Sequence, residues 1–336
     1  MLDLNPIYQT LKPELNLVEK SLDRIFNKQD GLGRKLYLQQ ANFHGKRLRP
    51  ALLLLSAHAV GKIAPVHLTL ALVIELIHNA TLVHDDVLDD ARLRRCLPTV
   101  NHEWGNETAI IFGDLIFSNA FNACAAIKSN DAIRILSETA NQMCYGELSH
   151  MAKRYDPSLT EKEYLKIIEN KTASLFSTSC YLGALFATTN KKHHLTLKKY
   201  GLNFGLAYQI IDDYLDWMSN EESTGKTAGT DLLKGRITLP LIRLHQVLPN
   251  GKRKILREII STAKKASAKN GNFSNQKKKI KNLIINYGII DNILNTAESY
   301  LQKAQKALTY LPHSYDRQLL ETITQSTLPR QVGTIR

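Results

Sequence analysis

Apolar residues along this chain recur at three- and four-residue intervals in long blocks, and alternating apolar–polar runs bounded by hairpin turns are absent. That period predicts an all-α protein. Residues 1–30 read as a helix that begins after Pro6 or Pro13, and "GKRLRPALLLLSAHAVG" reads as a second. The stretch "PVHLTLALVIELIHNATLVHDDVLDD" reads as a long helix with Pro65 in its first turn, where the missing N–H would have had no helical partner. It is apolar nearly all round, which predicts a place at the centre of a bundle. Further helices are predicted over 107–127, 132–155, 160–188, 196–220 and 239–248, and then through a basic region to about residue 311. Breaks fall at glycine, proline and asparagine clusters. No linker-like stretch divides the chain and no repeat of 20 to 50 residues is evident, so residues 1–336 are expected to form one domain.

Composition narrows the picture. With 336 residues and 43% hydrophobic content the chain has the material for a real core. Its four cysteines, Cys96, Cys124, Cys144 and Cys180, make no CxxC pair, which argues against a zinc site or a disulfide framework and suits a reducing compartment. The N-terminus "MLDLNPIYQTLKPELNL" lacks the basic start and apolar run of a signal peptide, and no stretch of about 18 uncharged apolar residues follows. A cytoplasmic protein is the expectation. The net charge of +13 is concentrated between Lys252 and Lys281, where two lysine-rich helices and a loop are expected. Such a segment is ordinarily a solvated face, with weak contact to an anionic membrane surface as the functional alternative. Nucleic acid is not expected, since no zinc-finger, homeodomain or RNP-type pattern is present.

One feature of the long apolar helix is unexpected: "LVHDDVLDDARLRRCLPT" ends it in a block of acids followed by arginines. At about 100° per residue, Asp85, Asp86 and Asp89 fall within one arc of roughly 100°, with Asp90 rotated away. A second triad of the same spacing, Asp212, Asp213 and Asp216, ends the apolar "FGLAYQIIDDYLDW". Buried carboxylates need a cationic partner. Clusters offering only oxygen favour Mg²⁺ or Mn²⁺, which bridge a few carboxylates to substrate phosphates. A solvated or salt-bridged helix end is the plain alternative for one triad, and a two-metal nuclease is a chemical one. Duplication on two apolar helices favours a diphosphate held by metal. Lys46, Arg47 and Arg49 of "GKRLRP", with Arg94 and Arg95, add cations whose guanidinium forks suit phosphate oxygens.

These pieces resemble one family. "HGKRLRP", "LIHNATLVHDDVLDDARLRR", "GNETAIIFGDLIFSNAF", "GEL", "KTAS", "AYQIIDDYLD" and "GKTAGTDLLKGRITLPLI" follow in the order found in the trans-isoprenyl diphosphate synthases, the polyprenyl synthetases. The resemblance implies a single antiparallel helical bundle around a central cavity, of the isoprenoid synthase type. It also implies Mg²⁺-dependent condensation of isopentenyl diphosphate with an allylic diphosphate, by a homodimer. Asp85, Asp86 and Asp89 on one wall, with Asp212 and Asp213 on the other, would hold three Mg²⁺ ions, Mn²⁺ being possible, and Asp216 would support them through water. Lys46, Arg49, His78 and Arg95 would hold isopentenyl diphosphate. Arg94, Lys171, Lys226 and Arg236 would contact the allylic diphosphate, while Thr172 and Gln209 would line the reacting centre.

Product length in this family is set on the helix leading to Asp85. Ala80 and Thr81 are small where short-chain members carry a bulky aromatic, and Ile77 and Ile74 come next, Ile74 lying about 16 Å up the helix. An open tunnel and a product of C30 or longer are expected, unless Phe112 or Phe117 closes it at C20. Departures from the family pattern are His44, Cys96, His150 and Arg236, which stand for glycine, glycine, glutamine and lysine. A short-chain or cyclising relative and a non-catalytic partner subunit are the alternatives; the latter commonly lose aspartates from one triad, and both triads are intact here.

Overall fold

The computed structural model describes residues 5–27, 31–41, 45–95, 97–218, 229–269 and 273–329; His44, Cys96 and Lys226 lie outside them. The first helices are α1 (Asn5–Thr10), α2 (Lys12–Asn27), α3 (Leu32–Ala41), α4 (Leu48–Val60) and α5 (Pro65–Leu88). After a two-residue ladder, Leu93–Arg94 against Leu97–Pro98, come α6 (Val100–Ala125), α7 (Asn130–Ala152) and α8 (Glu161–Ile168). A π-helical turn, Glu169–Ala173, joins α8 to α9 (Ser174–Leu185), which α10 (Lys191–Met218) follows. The remainder is α11 (Thr230–Leu233), α12 (Leu239–Val247), α13 (Asn250–Lys269), α14 (Ser274–Asn286), α15 (Ile289–Leu308) and α16 (Tyr315–Thr327).

Helix α5 is the centre, as its all-round apolarity predicts. It packs chiefly against α6 and also against α2, α4 and α9, while α10 packs on α9 and α15. Leu70, Val73, Ile74, Leu76 and Ile77 are fully buried along it, each such side chain contributing roughly 2 kcal/mol relative to exposure. In length and hydropathy α5 and α6 would both suffice to cross a membrane, but the apolar positions of α5 are mostly covered by protein. Pro65 opens α5, and His67 Nδ1 accepts the Ala64 N–H at 2.9 Å while its Nε2 meets the Gly183 carbonyl at 3.1 Å. His67 is thus a neutral, buried crosslink from the α5 N-terminus to α9.

Burial, only partly offset by its backbone hydrogen bonds, lowers the His67 pKa. In the unfolded chain the ring protonates near pH 6.5, so its contribution is present above that pH and lost as pH falls through it. Stability to urea is expected to decline between pH 7 and pH 5, with a slope of up to about 1.4 kcal/mol per pH unit from this residue. A His67→Gln variant should show a shallower decline when melts are compared at the two pH values.

The elements that the periodicity does not predict are short or end-capped. Helix α3 and the C-terminal α16 lie outside the predicted helices. Helix α16 packs on α4, and Tyr200 donates to the Leu320 carbonyl at 3.1 Å. The residue-93–98 ladder is too brief for an alternating pattern to register. Val100–Ala125 begins earlier than the predicted 107 because a turn precedes Gly105, which breaks the helix with φ 83° and ψ 161°.

Candidate active site

The two acidic triads lie at the C-terminal ends of α5 and α10. Asp85 and Asp86 occupy the last turn of α5 and Asp89 its C-cap, and Arg154 donates to the terminal Leu88 carbonyl at 3.1 Å. Asp90, at φ 48°, turns out into solvent. Each acid of the first triad meets a different cation. Lys171 Nζ lies 3.3 Å from Asp85 and also pairs with Glu147. Arg94 grips Asp86 with Nε at 3.0 and 2.8 Å and Nη2 at 2.7 Å. Asp89 is surrounded by Arg236 at 2.8 Å, Lys234 at 3.2 Å and Arg154 at 3.6 Å. Burial alone would raise the Asp89 pKa, but Arg236, Lys234 and Lys171 outweigh it and hold the carboxyl below its ordinary range. For Asp86 burial wins over Arg94, and its pKa is raised.

In the second triad Asp212 is exposed, whereas its neighbours are enclosed. Asp213 is buried, accepting from Tyr164 Oη at 2.6 Å and Gln209 Nε2 at 2.8 Å. Asp216 caps α11, accepting from Thr230 N at 3.1 Å, Thr230 Oγ1 at 2.6 Å and Asp231 N at 3.3 Å. Of the six predicted metal ligands, Asp86, Asp213 and Asp216 are therefore committed to fixed protein partners. Asp85 and Asp89 are paired with lysine and arginine side chains that a phosphate would compete for. Among the described residues no three acids converge closely enough to enclose a metal as they stand. The donor chemistry nonetheless fits a hard cation, since every ligand on offer is oxygen.

Close backbone approaches place these cations. The π-helical turn carries Lys171 and Thr172 beneath Gly146 of α7, where a Cβ would sit 2.6 Å from the Lys171 nitrogen. Thr172 donates to Gln209 Oε1 at 2.8 Å, so the two residues predicted to line the reacting centre are directly bonded. Gly235, at φ 82°, sits under the Tyr155 ring at a distance that no side chain would tolerate. Its carbonyl accepts the Tyr155 N–H at 2.8 Å and Tyr155 Oη donates to Leu233 O at 2.7 Å, which fixes Lys234 and Arg236 toward Asp89. Arg236 also approaches Asp231 to 3.6 Å. Burial and Asp216 raise the Asp231 carboxyl to about 6 against the pull of Arg236 and Lys234. His150 has Arg236, Lys171, Arg154 and Asp89 as charged neighbours; burial, with the cations, pushes its pKa down to about 3, so it is neutral.

A second cationic pocket lies further up α5. Arg49 of α4 places Nη1 3.1 Å from His78 Nε2 and its guanidinium carbon 4.2 Å from the centre of the Phe176 ring. Its buried Nε has no hydrogen-bond partner among the described residues. Burial first, and then Arg49, Arg94, Arg95 and Arg47, keep His78 well below its ordinary pKa and therefore neutral. Arg95, at φ 52°, covers Gly45 in the loop that carries the exposed Lys46. Arg47 belongs elsewhere: it bridges Glu19 of α2 and the buried Glu75 of α5 and ties the N-terminal helices to the core.

Ile74, Ile77 and Ala80 are completely buried, and Thr81 donates to the His78 carbonyl at 2.7 Å. Phe112 of α6 is buried 6.4 Å from Phe26, itself stacked on Tyr37 at 4.0 Å. Phe117 packs edge-on against Phe121 at 5.1 Å. The sequence reading missed Glu147, Arg154, Tyr164, Asp231 and Lys234. Glu147, Asp231 and Lys234 stand inside quoted blocks, "GEL" and "GKTAGTDLLKGRITLPLI", so that signal was available. Arg154 and Tyr164 carry none, because only the folded chain brings them to Asp89 and Asp213.

Comparison with known proteins agrees with this geometry. Residues 34–276 match the sequence profile of the family described as Polyprenyl synthetase. The heptaprenyl diphosphate synthase component 2 of Bacillus subtilis (strain 168) is 34% identical over 332 residues, covering 95% of this chain and 88% of the relative. An all-trans-nonaprenyl-diphosphate synthase (geranyl-diphosphate specific) of Rhodobacter capsulatus is 35% identical, with 85% of each chain covered. Among solved structures, a polyprenyl synthase from Caulobacter crescentus CB15, complexed with calcium and isoprenyl diphosphate, superposes with a TM-score of 0.88 at 29% identity, covering 98% of each chain.

Proposed function

This chain belongs to the polyprenyl synthetase family, and from that premise we propose that it condenses isopentenyl diphosphate with an allylic diphosphate to give an all-trans polyprenyl diphosphate of C30 or longer. One observation carries the reading: the acids that end α5 are paired with Lys171, Lys234 and Arg236, while further up the same helix Arg49 meets neutral His78 with no carboxylate in contact among the described residues. The first arrangement suits a metal-bound diphosphate and the second a bare one. Asp85, Asp89 and Asp212 would hold Mg²⁺, with Asp86, Asp213 and Asp216 behind them. Bound there, the metal would neutralise charge on the departing diphosphate and so lower the barrier to ionisation.

The protein's own groups supply the rest. Lys171, Lys234 and Arg236 would exchange carboxylates for phosphate oxygens of the allylic substrate; Arg94 reaches it only by leaving Asp86. Thr172 and Gln209 present oxygens to the allylic cation, held in place by their mutual hydrogen bond. Arg49 and neutral His78, with Lys46 and Arg95, would orient isopentenyl diphosphate so that its double bond attacks. The released diphosphate would take the final proton.

Before Asp85, α5 carries small Ala80 and then aliphatic Ile77 and Ile74, with no phenylalanine, tyrosine or tryptophan along its length. Incubation with Mg²⁺, farnesyl diphosphate and labelled isopentenyl diphosphate should give a ladder of products ending at C30 or beyond by mass spectrometry. Ala80→Phe should truncate that ladder at C15 to C20 with condensation retained, because a ring fills the path within about 8 Å of Asp85. No elongation of farnesyl or geranyl diphosphate by the wild-type protein would overturn the reading. We further propose a homodimer. Helices α6 and α7 expose Ile110, Ile111, Tyr145 and Leu148, an apolar face that a second copy would cover. Light scattering after gel filtration should give twice the chain mass.

A further inference from the structure

Tyr164 has no assigned part in the chemistry above, yet it makes one of the shortest contacts around the site. Its hydroxyl donates to Asp213 Oδ2 at 2.6 Å, and Gln209 Nε2 donates to Asp213 Oδ1 at 2.8 Å. Both oxygens of this buried carboxylate are thus engaged by α8 on one side and by α10's own preceding turn on the other. Gln209 in turn accepts from Thr172 at 2.8 Å, and Thr172 shares the π-helical turn with Lys171, which reaches Asp85. The connection Tyr164–Asp213–Gln209–Thr172 therefore runs from α8 across α10 to the turn carrying the lysine between the acidic walls.

We propose that Tyr164 is a positioning residue of the prenyltransferase site: by clamping Asp213 it makes Asp212 the single aspartate of that adjacent pair presented to the metal-bound diphosphate, and it fixes Gln209 and the Lys171 turn. The physical reason is geometric. A carboxylate holding one donor can rotate, and rotation here would bring a second negative group beside Asp212 and release the Gln209 amide that orients Thr172. A carboxylate held by donors on both oxygens cannot. This inference rests on the proposed function, and its test separates the two.

Tyr164→Phe keeps the ring and removes only the hydroxyl. Two readouts apply: the rise in melting temperature on adding Mg²⁺ with inorganic diphosphate, and the Mg²⁺ dependence of turnover. The expected result is a diminished thermal shift and a half-saturating Mg²⁺ concentration raised about fivefold. Tyr164→Phe added to Asp213→Asn should have no further effect, because the hydroxyl acts through that carboxylate. An unaltered thermal shift and Mg²⁺ dependence in Tyr164→Phe, or full additivity with Asp213→Asn, would overturn the proposal. Absence of any Mg²⁺–diphosphate shift in the wild-type protein would instead overturn the proposed function.

Discussion

Asp85→Ala is expected to lower turnover by about a thousandfold or more, equivalent to about 4 kcal/mol of transition-state stabilisation, while leaving the melting temperature nearly unchanged. The separation of the two effects follows from how Asp85 is held. Its carboxylate is partly exposed at the end of α5 and its partner Lys171 has a second acid, Glu147, so its removal leaves no buried charge unpaired. The same truncation at Asp89 would behave differently. That side chain is nearly inaccessible and neutralises Arg236 and Lys234, so Asp89→Ala would disturb the fold as well as the chemistry. Asp212, exposed on the opposite wall, belongs with Asp85: Asp212→Ala should abolish most turnover with a native thermal transition. Single-turnover rates with farnesyl diphosphate, beside calorimetry on the same samples, distinguish these outcomes. Near-wild-type rates in both variants would remove the metal-bound diphosphate from the site.

The second large effect concerns the bare diphosphate. Arg49→Met is expected to raise the KM for isopentenyl diphosphate about a hundredfold, equivalent to about 2.7 kcal/mol, with a much smaller change in KM for the allylic primer. Arg49 stacks over Phe176 and meets His78, but among the described residues no carboxylate is in direct contact with it and its buried Nε has no partner. A guanidinium in such surroundings is poorly solvated, and burial lowers its pKa. An incoming phosphate would supply the missing acceptor. Methionine keeps much of the apolar volume against Phe176 and removes only the charge and donors, so the variant should fold. Equal KM values for isopentenyl diphosphate in wild type and variant would place that substrate elsewhere.

The sequence carried the helical class because the core is built from long amphipathic or all-apolar segments whose period is visible without knowing their neighbours. It carried the two acid triads and the pocket cations for the same reason: each is a local run on one helix end or one loop. The boundaries that failed are those set from a distance. Helix α16 is held through its packing on α4 and the Tyr200 contact, and α3 through aromatic stacking of Tyr37 on Phe26. The break inside Thr160–Thr188 is a π-helical turn that Gly146 of a different helix accommodates.

Residue type by itself determined that two oxygen-rich clusters and two groups of cations exist, on helices apolar enough to be buried. Only the tertiary structure decided which acids remain available. Asp85 and Asp86 are adjacent and chemically identical, yet one faces a lysine that also pairs with Glu147 and the other is gripped by a turned-back arginine from the residue-93–98 ladder. Asp212 and Asp213 divide in the same way, through Tyr164 some fifty positions earlier. Arg47 and Arg49, two residues apart, part company because Glu19 and Glu75 claim the first and a phenyl ring receives the second. A charged group's role depends on the nearest counter-charge in space, and that distance is set by how helices from remote parts of the chain pack together.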